Sequence, residues 1–266
     1  MGKRAYPSSR NAVSLAMNDR EKQRVALVTG GAVRLGKAIS LGLAEAGYDL
    51  VIGYRSSQAG AEGVVAEVEA LGRRCEAIQA DLTESDAPDA LVTATRAAFG
   101  RLDLVVNSAA SFRSIPLLDV DAEEWDAVMA LNTRAPHLVV RAAADLLRTS
   151  RGSVVNITDL SAFQAWTEYP HHSVSKASLA HLTRIQARAL APDVRVNAVA
   201  PGAVLPPDDW APERWAALAA RTPLERLGHP RDVVQAILYL AQAEFVTGHI
   251  LPVDGGRLLG PSGPPS

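Results

Sequence analysis

From Arg24 onward the chain alternates short apolar runs with longer helical patterns, and this alternation constrains its fold more than any other feature. The runs RVALVTG, DLVIGY, RCEAIQA, LDLVVNS, GSVVNIT, VRVNAVA and HILPVDGG read as seven strands. Several are nearly continuous in Val, Ile, Leu and Ala, as strands are when helices cover both faces of a sheet. Residues 35–46, 58–71, 87–99, 122–147, about 170–190 and 230–242 read as the helices between them. Gly47 and Gly72 stand where a helix end needs a left-handed residue, and Pro230 suits a first helical turn. Strands that alternate with helices imply crossover connections and a parallel sheet. The expected fold is α/β: a doubly wound, Rossmann-type three-layer sandwich around a seven-stranded parallel sheet.

No linker, repeat or low-complexity block breaks the pattern, so residues 23–260 are expected to form one domain, with 1–22 a flexible extension and 261–266 a flexible tail. At 266 residues, 48% hydrophobic and 21% charged, the chain can bury a full core without staples. A net charge of -2 argues against nucleic-acid and anionic-membrane partners, which need a concentrated basic surface. The first twenty residues lack the apolar core of a signal peptide, so a cytoplasmic location is expected. Cys75 has no partner cysteine and sits in a strand run, which reads as a buried structural thiol.

The segment VALVTGGAVRLGKAI places a small-residue turn, Thr29 to Gly36, directly between an apolar strand and an amphipathic helix. Such a turn sets backbone N–H groups and the positive end of a helix against a pyrophosphate. At the end of the second strand an NAD-selective protein places a carboxylate against the ribose 2′-OH. Here Tyr54, Arg55, Ser56 and Ser57 stand instead. A guanidinium and two hydroxyls suit a 2′-phosphate, which points to NADP(H) as cofactor.

The turn reads Thr-Gly-x-x-x-Arg-x-Gly and resembles the short-chain dehydrogenase/reductase family, specifically its pteridine reductase branch, where an arginine takes the middle glycine position. The resemblance implies that Gly30, Arg34, Leu35 and Gly36 contact the cofactor. It further implies that Asp81 and Leu82 lie on its adenine side, with Asn107, Ser108 and Ala109 forming the next loop and Pro201 and Gly202 the loop after the sixth strand. Lys176, in HHSVSKASLAHLTR, matches the lysine of the family's active-site helix, and Asn132 in LNTRAP matches its asparagine. The family's serine position holds Asp159, as in pteridine reductases. Four residues before Lys176, where the family has its catalytic tyrosine, stands His172.

An imidazole titrates near 6.5, a neighbouring Lys⁺ lowers that value, and a carboxylate in reach raises it. The expectation is that Asp159 and His172 form a proton-donating pair while Lys176 holds the nicotinamide ribose. Two alternatives stay open: Tyr169, seven residues before Lys176, as donor, or a His172 that only fills the tyrosine's space. In the latter case the chain is a catalytically impaired NADP(H)-binding protein with a sensor or structural role. His171, His172 and His181 do not repeat at a ligand spacing with a carboxylate, so no metal is expected.

On the substrate side, NSAASFRSIPLL resembles the pteridine reductase stretch. By that resemblance Ser111 hydrogen-bonds a polar heterocycle, Phe112 stacks on it, and Asp159 also touches it. The polar, proline-rich connection after Pro201-Gly202 is where a lid would sit, with Trp210 and Trp215 as lid or packing residues. The expected activity is NADPH-dependent hydride transfer to a conjugated C=N of a pterin or folate-type ring, or to a related polar carbonyl. The helices at 122–147 and 170–190 resemble those that pair subunits in the family, which implies a homotetramer.

Overall fold

The computed structural model describes residues 24–207 and 210–260; the expected extension at 1–22 and tail at 261–266 lie outside them. Seven strands form one sheet: β1 (Arg24–Thr29), β2 (Tyr48–Tyr54), β3 (Cys75–Gln79), β4 (Leu104–Asn107), β5 (Ser153–Ile157), β6 (Arg195–Pro201) and β7 (Ile250–Val253). Their order is β3-β2-β1-β4-β5-β6-β7 and every pairing is parallel. The winding reverses between β1 and β4, which opens a crevice at the carboxyl ends of those strands.

The helices are α1 (Arg34–Glu45), α2 (Gln58–Ala70), α3 (Ala87–Phe99), α4 (Ala122–Met129), α5 (Ala135–Ser150), α6 (Pro170–Leu190), α7 (Pro212–Ala216) and α8 (Pro230–Gln242). Side-chain alternation along the strands feeds two cores. Ala26, Val28, Leu50 and Ile52 pack with Ile39 and Leu43 of α1, Val64 of α2 and Ile237 of α8. Val25, Leu27, Val51 and Val105 pack on the opposite face with Leu91 of α3, Val139 of α5 and Ala187 of α6. Each fully buried Leu, Ile or Val contributes roughly 1.5–3 kcal/mol relative to exposure. The three-layer, seven-stranded expectation holds, down to Gly47 and Gly72, whose φ angles of +90° and +73° close α1 and α2. Cys75 is buried on β3, and burial pushes its thiol up to about 12.

One expectation is corrected. Residues 122–147 are not one helix, because a π-helical segment, Ala130–Arg134, separates α4 from α5. Pro136 has no N–H to give to the carbonyl of Asn132, so the α-helical ladder cannot run through this point. The widened turn carries Asn132 inward, and π-bulges of this kind are frequent at functional sites.

Candidate active site

A cavity of about 1220 Å³ opens at the carboxyl ends of the strands and is walled by Gly30, Arg34, Leu35 and Gly36 of the β1–α1 turn. Gly30 has φ +65°, and a Cβ there would lie 2.9 Å from the Cα of Ala109. At Gly36 a Cβ would meet the carbonyl oxygen of Gly30 at 1.9 Å. The turn therefore closes only with bare backbone at these two positions, and no carboxylate stands in the first turn of α1. A pyrophosphate fits such a helix N-terminus. Thr29 ties the turn to the loop after β4: its Oγ1 accepts from the N–H of Ser108 at 3.0 Å and of Ala109 at 3.1 Å.

Arg34 occupies the left-handed region at φ 52°, a conformation that costs an L-residue about 1–2 kcal/mol. One of its guanidinium nitrogens donates to the carbonyl of Pro206 at 2.6 Å. Tyr54, Arg55 and Ser56 wall the cavity at the end of β2, as do Asp81 and Leu82 after β3. The Asp81 carboxylate is held in its own turn by the hydroxyl and N–H of Thr83, which keep its pKa below the usual value. Pro201, the last residue of β6, and Gly202 close the wall there.

The candidate reactive groups follow β5 and stand on α6. Pro170 begins α6, and a four-residue step puts His172 and Lys176 on one helical face. Asp159 follows β5 and caps the short 3₁₀ turn Leu160–Ala162. The His172 Nε2 lies 2.5 Å from the Asp159 Oδ2, and its Nδ1 lies 2.8 Å from the carbonyl oxygen of Ser111. A carbonyl only accepts, so Nδ1 carries hydrogen, and one further proton bridges Nε2 and Oδ2. The other Asp159 oxygen accepts from the Ser161 N–H at 2.8 Å and from the Ser161 hydroxyl. Burial alone raises the Asp159 pKa. The hydrogen bond and charge of His172, the Lys176 ammonium and the Ser161 bond outweigh it, and hold the carboxyl below its ordinary value.

Lys176 is buried, which pushes its pKa down against the pull of Asp159, and its Nζ donates to the carbonyl of Ile157 at 2.8 Å. Asn132 does not reach the cavity wall. Its Oδ1 accepts from the Ser111 N–H at 2.8 Å, and its Nδ2 donates to the Ser111 carbonyl at 3.1 Å and the Ser175 hydroxyl at 3.0 Å. It thus fixes the backbone group on which His172 rests.

Two further expectations are corrected. Ser111 is not on the cavity wall, because Asn132 and His172 hold it by its backbone. Asn107 is buried behind the wall, where its amide donates to Asn156 at 2.8 Å. Phe112 does wall the cavity, but stacked on Tyr169 with centroids 4.4 Å apart. Trp210 and Trp215 pack edge to face with each other and also line the cavity. His171, next to His172, is fully buried and points elsewhere, 3.7 Å from Glu124. Sequence reasoning missed Ser161 and the aromatic partnership of Tyr169; only the Asx-turn pattern Asp-x-Ser after β5 hinted at the first.

Fold and site together define a class: an oxidoreductase that binds NADP(H) at the switch point of a doubly wound sheet. The family model described as enoyl-(acyl carrier protein) reductase matches residues 31–257, and the chain belongs to the short-chain dehydrogenase/reductase family. It is 37% identical over 244 residues to an oxidoreductase of Mycobacterium tuberculosis, covering 88% of this chain and 91% of that one. It is 35% identical over 246 residues to a 3-oxoacyl-[acyl-carrier-protein] reductase of Synechocystis, covering 89% and 97%. Among solved structures, a blue fluorescent protein from a metagenomic library, in complex with NADPH, superposes with a TM-score of 0.81 at 34% identity, covering 88% and 97%.

Proposed function

We propose that the protein is an NADPH-dependent reductase of the pteridine reductase type, acting on a conjugated C=N of a pterin or folate-like ring or on a related polar carbonyl. Asp159, His172 and Lys176 stand in for the family's serine, tyrosine and lysine. Bound NADPH supplies the hydride. The observation that carries the reading is the 2.5 Å contact between the His172 Nε2 and the Asp159 Oδ2, with the opposite ring nitrogen pinned on Ser111.

In this reading the bridging proton is the one delivered to the substrate nitrogen or oxygen. The Asp159 side chain is 18% exposed and that of His172 only 3%, so the carboxyl group faces the substrate. The proton moves from Nε2 to the carboxyl oxygen and on to the substrate as the negative charge develops there, a general acid step worth about 10²–10⁴-fold in rate. Lys176 orients the nicotinamide ribose and Phe112 supports the flat ring. Arg34, Asp159 and Phe112 support the pterin branch, whereas the likeness to a 3-oxoacyl reductase supports the carbonyl.

The test is steady-state NADPH oxidation with dihydropterin, dihydrofolate and polar ketones. Wild-type rates no higher than those of an Asp159→Ala, His172→Ala double variant overturn the reading. They leave the second one, an NADP(H)-binding protein with a sensor or structural role, which the near-complete burial of His172 favours. The proposal includes a small-molecule substrate, a cytoplasmic location and a homotetramer paired through α4, α5 and α6. Val174 and Ile185 are exposed on α6, which supports the pairing, and light scattering measures it. No helix of the described residues is long and apolar enough to cross a membrane.

A further inference from the structure

The cavity extends beyond the reactive groups to a cationic wall. Arg221 ends the 3₁₀ turn that follows α7, and Arg257 begins the one that follows β7. Both line the same cavity as Asp159 and His172. They are brought together by the packing of their chain neighbours. Thr222 is buried against Gly255, where a Cβ would meet its Cγ2 at 2.4 Å, and Pro223 lies against Gly256. The Leu224 N–H donates to the Gly255 carbonyl at 3.1 Å, which fastens the segment carrying Arg221 to the turn carrying Arg257.

Neither guanidinium forms an ion pair among the described residues, although Arg257 is only partly exposed. The nearest acid in sequence, Asp254, spends its carboxylate on the N–H groups of Gly256 at 2.9 Å and Leu258 at 2.8 Å. Arg214, the third arginine of this wall, is already engaged by Glu168 at 3.8 Å and by the Trp210 ring. Burial and the like charge of Arg221 both lower the Arg257 pKa, against a smaller opposing pull from Asp254. Two like charges at the rim of a partly desolvated cavity repel each other, and an anion between them removes the repulsion. Guanidinium forks match the paired oxygens of carboxylate and phosphate.

We propose that the substrate carries an anionic oxygen group, a carboxylate or phosphate, and that Arg221 and Arg257 hold it while the reducible bond lies against Asp159. This rests on the reductase reading and narrows its substrate class. A neutral pterin brings no charge to this wall, whereas a ring with an acidic tail does. A polar ketone with a terminal acid does so as well.

The experiment compares matched probes on the NADPH-loaded enzyme: dihydrofolate against its dimethyl ester, dihydroneopterin phosphate against dihydroneopterin, and 5-oxohexanoate against its methyl ester. The expected result is a kcat/KM preference for the charged member of about ten- to a hundredfold, the range of a charge-assisted bond. In Arg221→Gln, Arg257→Gln the preference falls towards one, while the NADPH Kd is unchanged. The carboxylate and phosphate pairs show which anion the wall prefers. A preference that persists in the double variant overturns the proposal, and so does an NADPH Kd that rises as much as the preference falls, since the arginines then serve the cofactor. If no probe is turned over, the reductase reading fails separately. Calorimetric titration of the loaded protein with the same pairs still decides this proposal, and equal affinity for acid and ester refutes it.

Discussion

Phe112 lies face to face with Tyr169, ring centroids 4.4 Å apart and planes 9° from parallel, and meets the His172 ring at 82° with centroids 4.8 Å apart. One face of the phenyl ring that the sequence assigns to a flat substrate is therefore already covered. The pair forms a single aromatic support beside His172, and the tyrosine is expected to contribute its ring rather than its hydroxyl. Tyr169→Phe is expected to keep kcat within about twofold. Tyr169→Ala removes a stack worth about 0.5–1.5 kcal/mol and raises KM. Steady-state kinetics of both variants check this, and loss of turnover in Tyr169→Phe would make the phenol the donor.

Asp159 and His172 are in contact and are expected to act as one unit, so their removal should not be additive. Asp159→Asn and His172→Gln are each expected to lower kcat by about 10²–10⁴-fold, and the double variant by little more than either. Single-turnover rates with NADPH held at saturation measure this without interference from binding.

The same carboxylate contributes to acid stability. Its folded pKa lies below the ordinary carboxyl value near 3.9, so the unfolded chain takes up the proton first as pH falls. Its stabilisation is fully present above that ordinary value and is lost as pH falls through the lowered folded one. Asp159→Asn is expected to flatten this part of the curve of melting temperature against pH below about pH 5.

His171 carries a separate acid sensitivity. It is fully buried, neither ring nitrogen has a hydrogen-bond partner, and burial lowers its pKa although Glu124 pulls the other way; His172 and Arg113 add to the lowering. Its folded value lies below the unfolded value near 6.5, so stability is lost as pH falls from there towards the folded value. His171→Leu removes that titration. The variant should lose less melting temperature than wild type between pH 7.5 and 5.

Arg34 and Arg55 both line the cavity and are expected to serve the cofactor differently. Arg55→Ala is expected to weaken NADPH binding about tenfold or more and NADH binding hardly at all, through loss of a charge-assisted bond to the 2′-phosphate. Arg34→Gly relieves about 1–2 kcal/mol of left-handed strain but adds about 0.5–1 kcal/mol of unfolded-chain entropy. It also removes the guanidinium's bond to the Pro206 carbonyl, so the melting temperature without cofactor should not rise, while affinity for both cofactors falls. Fluorescence titration with each dinucleotide distinguishes the two.

What the chain's sequence determined by itself is local. Apolar runs of strand length, helical periodicity, glycines at left-handed positions and the Thr29–Gly36 turn are read within one or two elements, and they suffice for the parallel sheet, its switch point and most of the cavity wall. The four-residue step from His172 to Lys176 is equally local. Tertiary structure alone decided which side chains meet across elements. Asn107 turns to Asn156 on β5, Asn132 and His172 converge on the backbone of Ser111, Phe112 lies on Tyr169, and Arg221 is fastened beside Arg257. Each of these pairings joins segments that only the packing of helices on the sheet brings together. The pattern of a segment specifies which of its faces is buried but carries no record of the partner that will cover it.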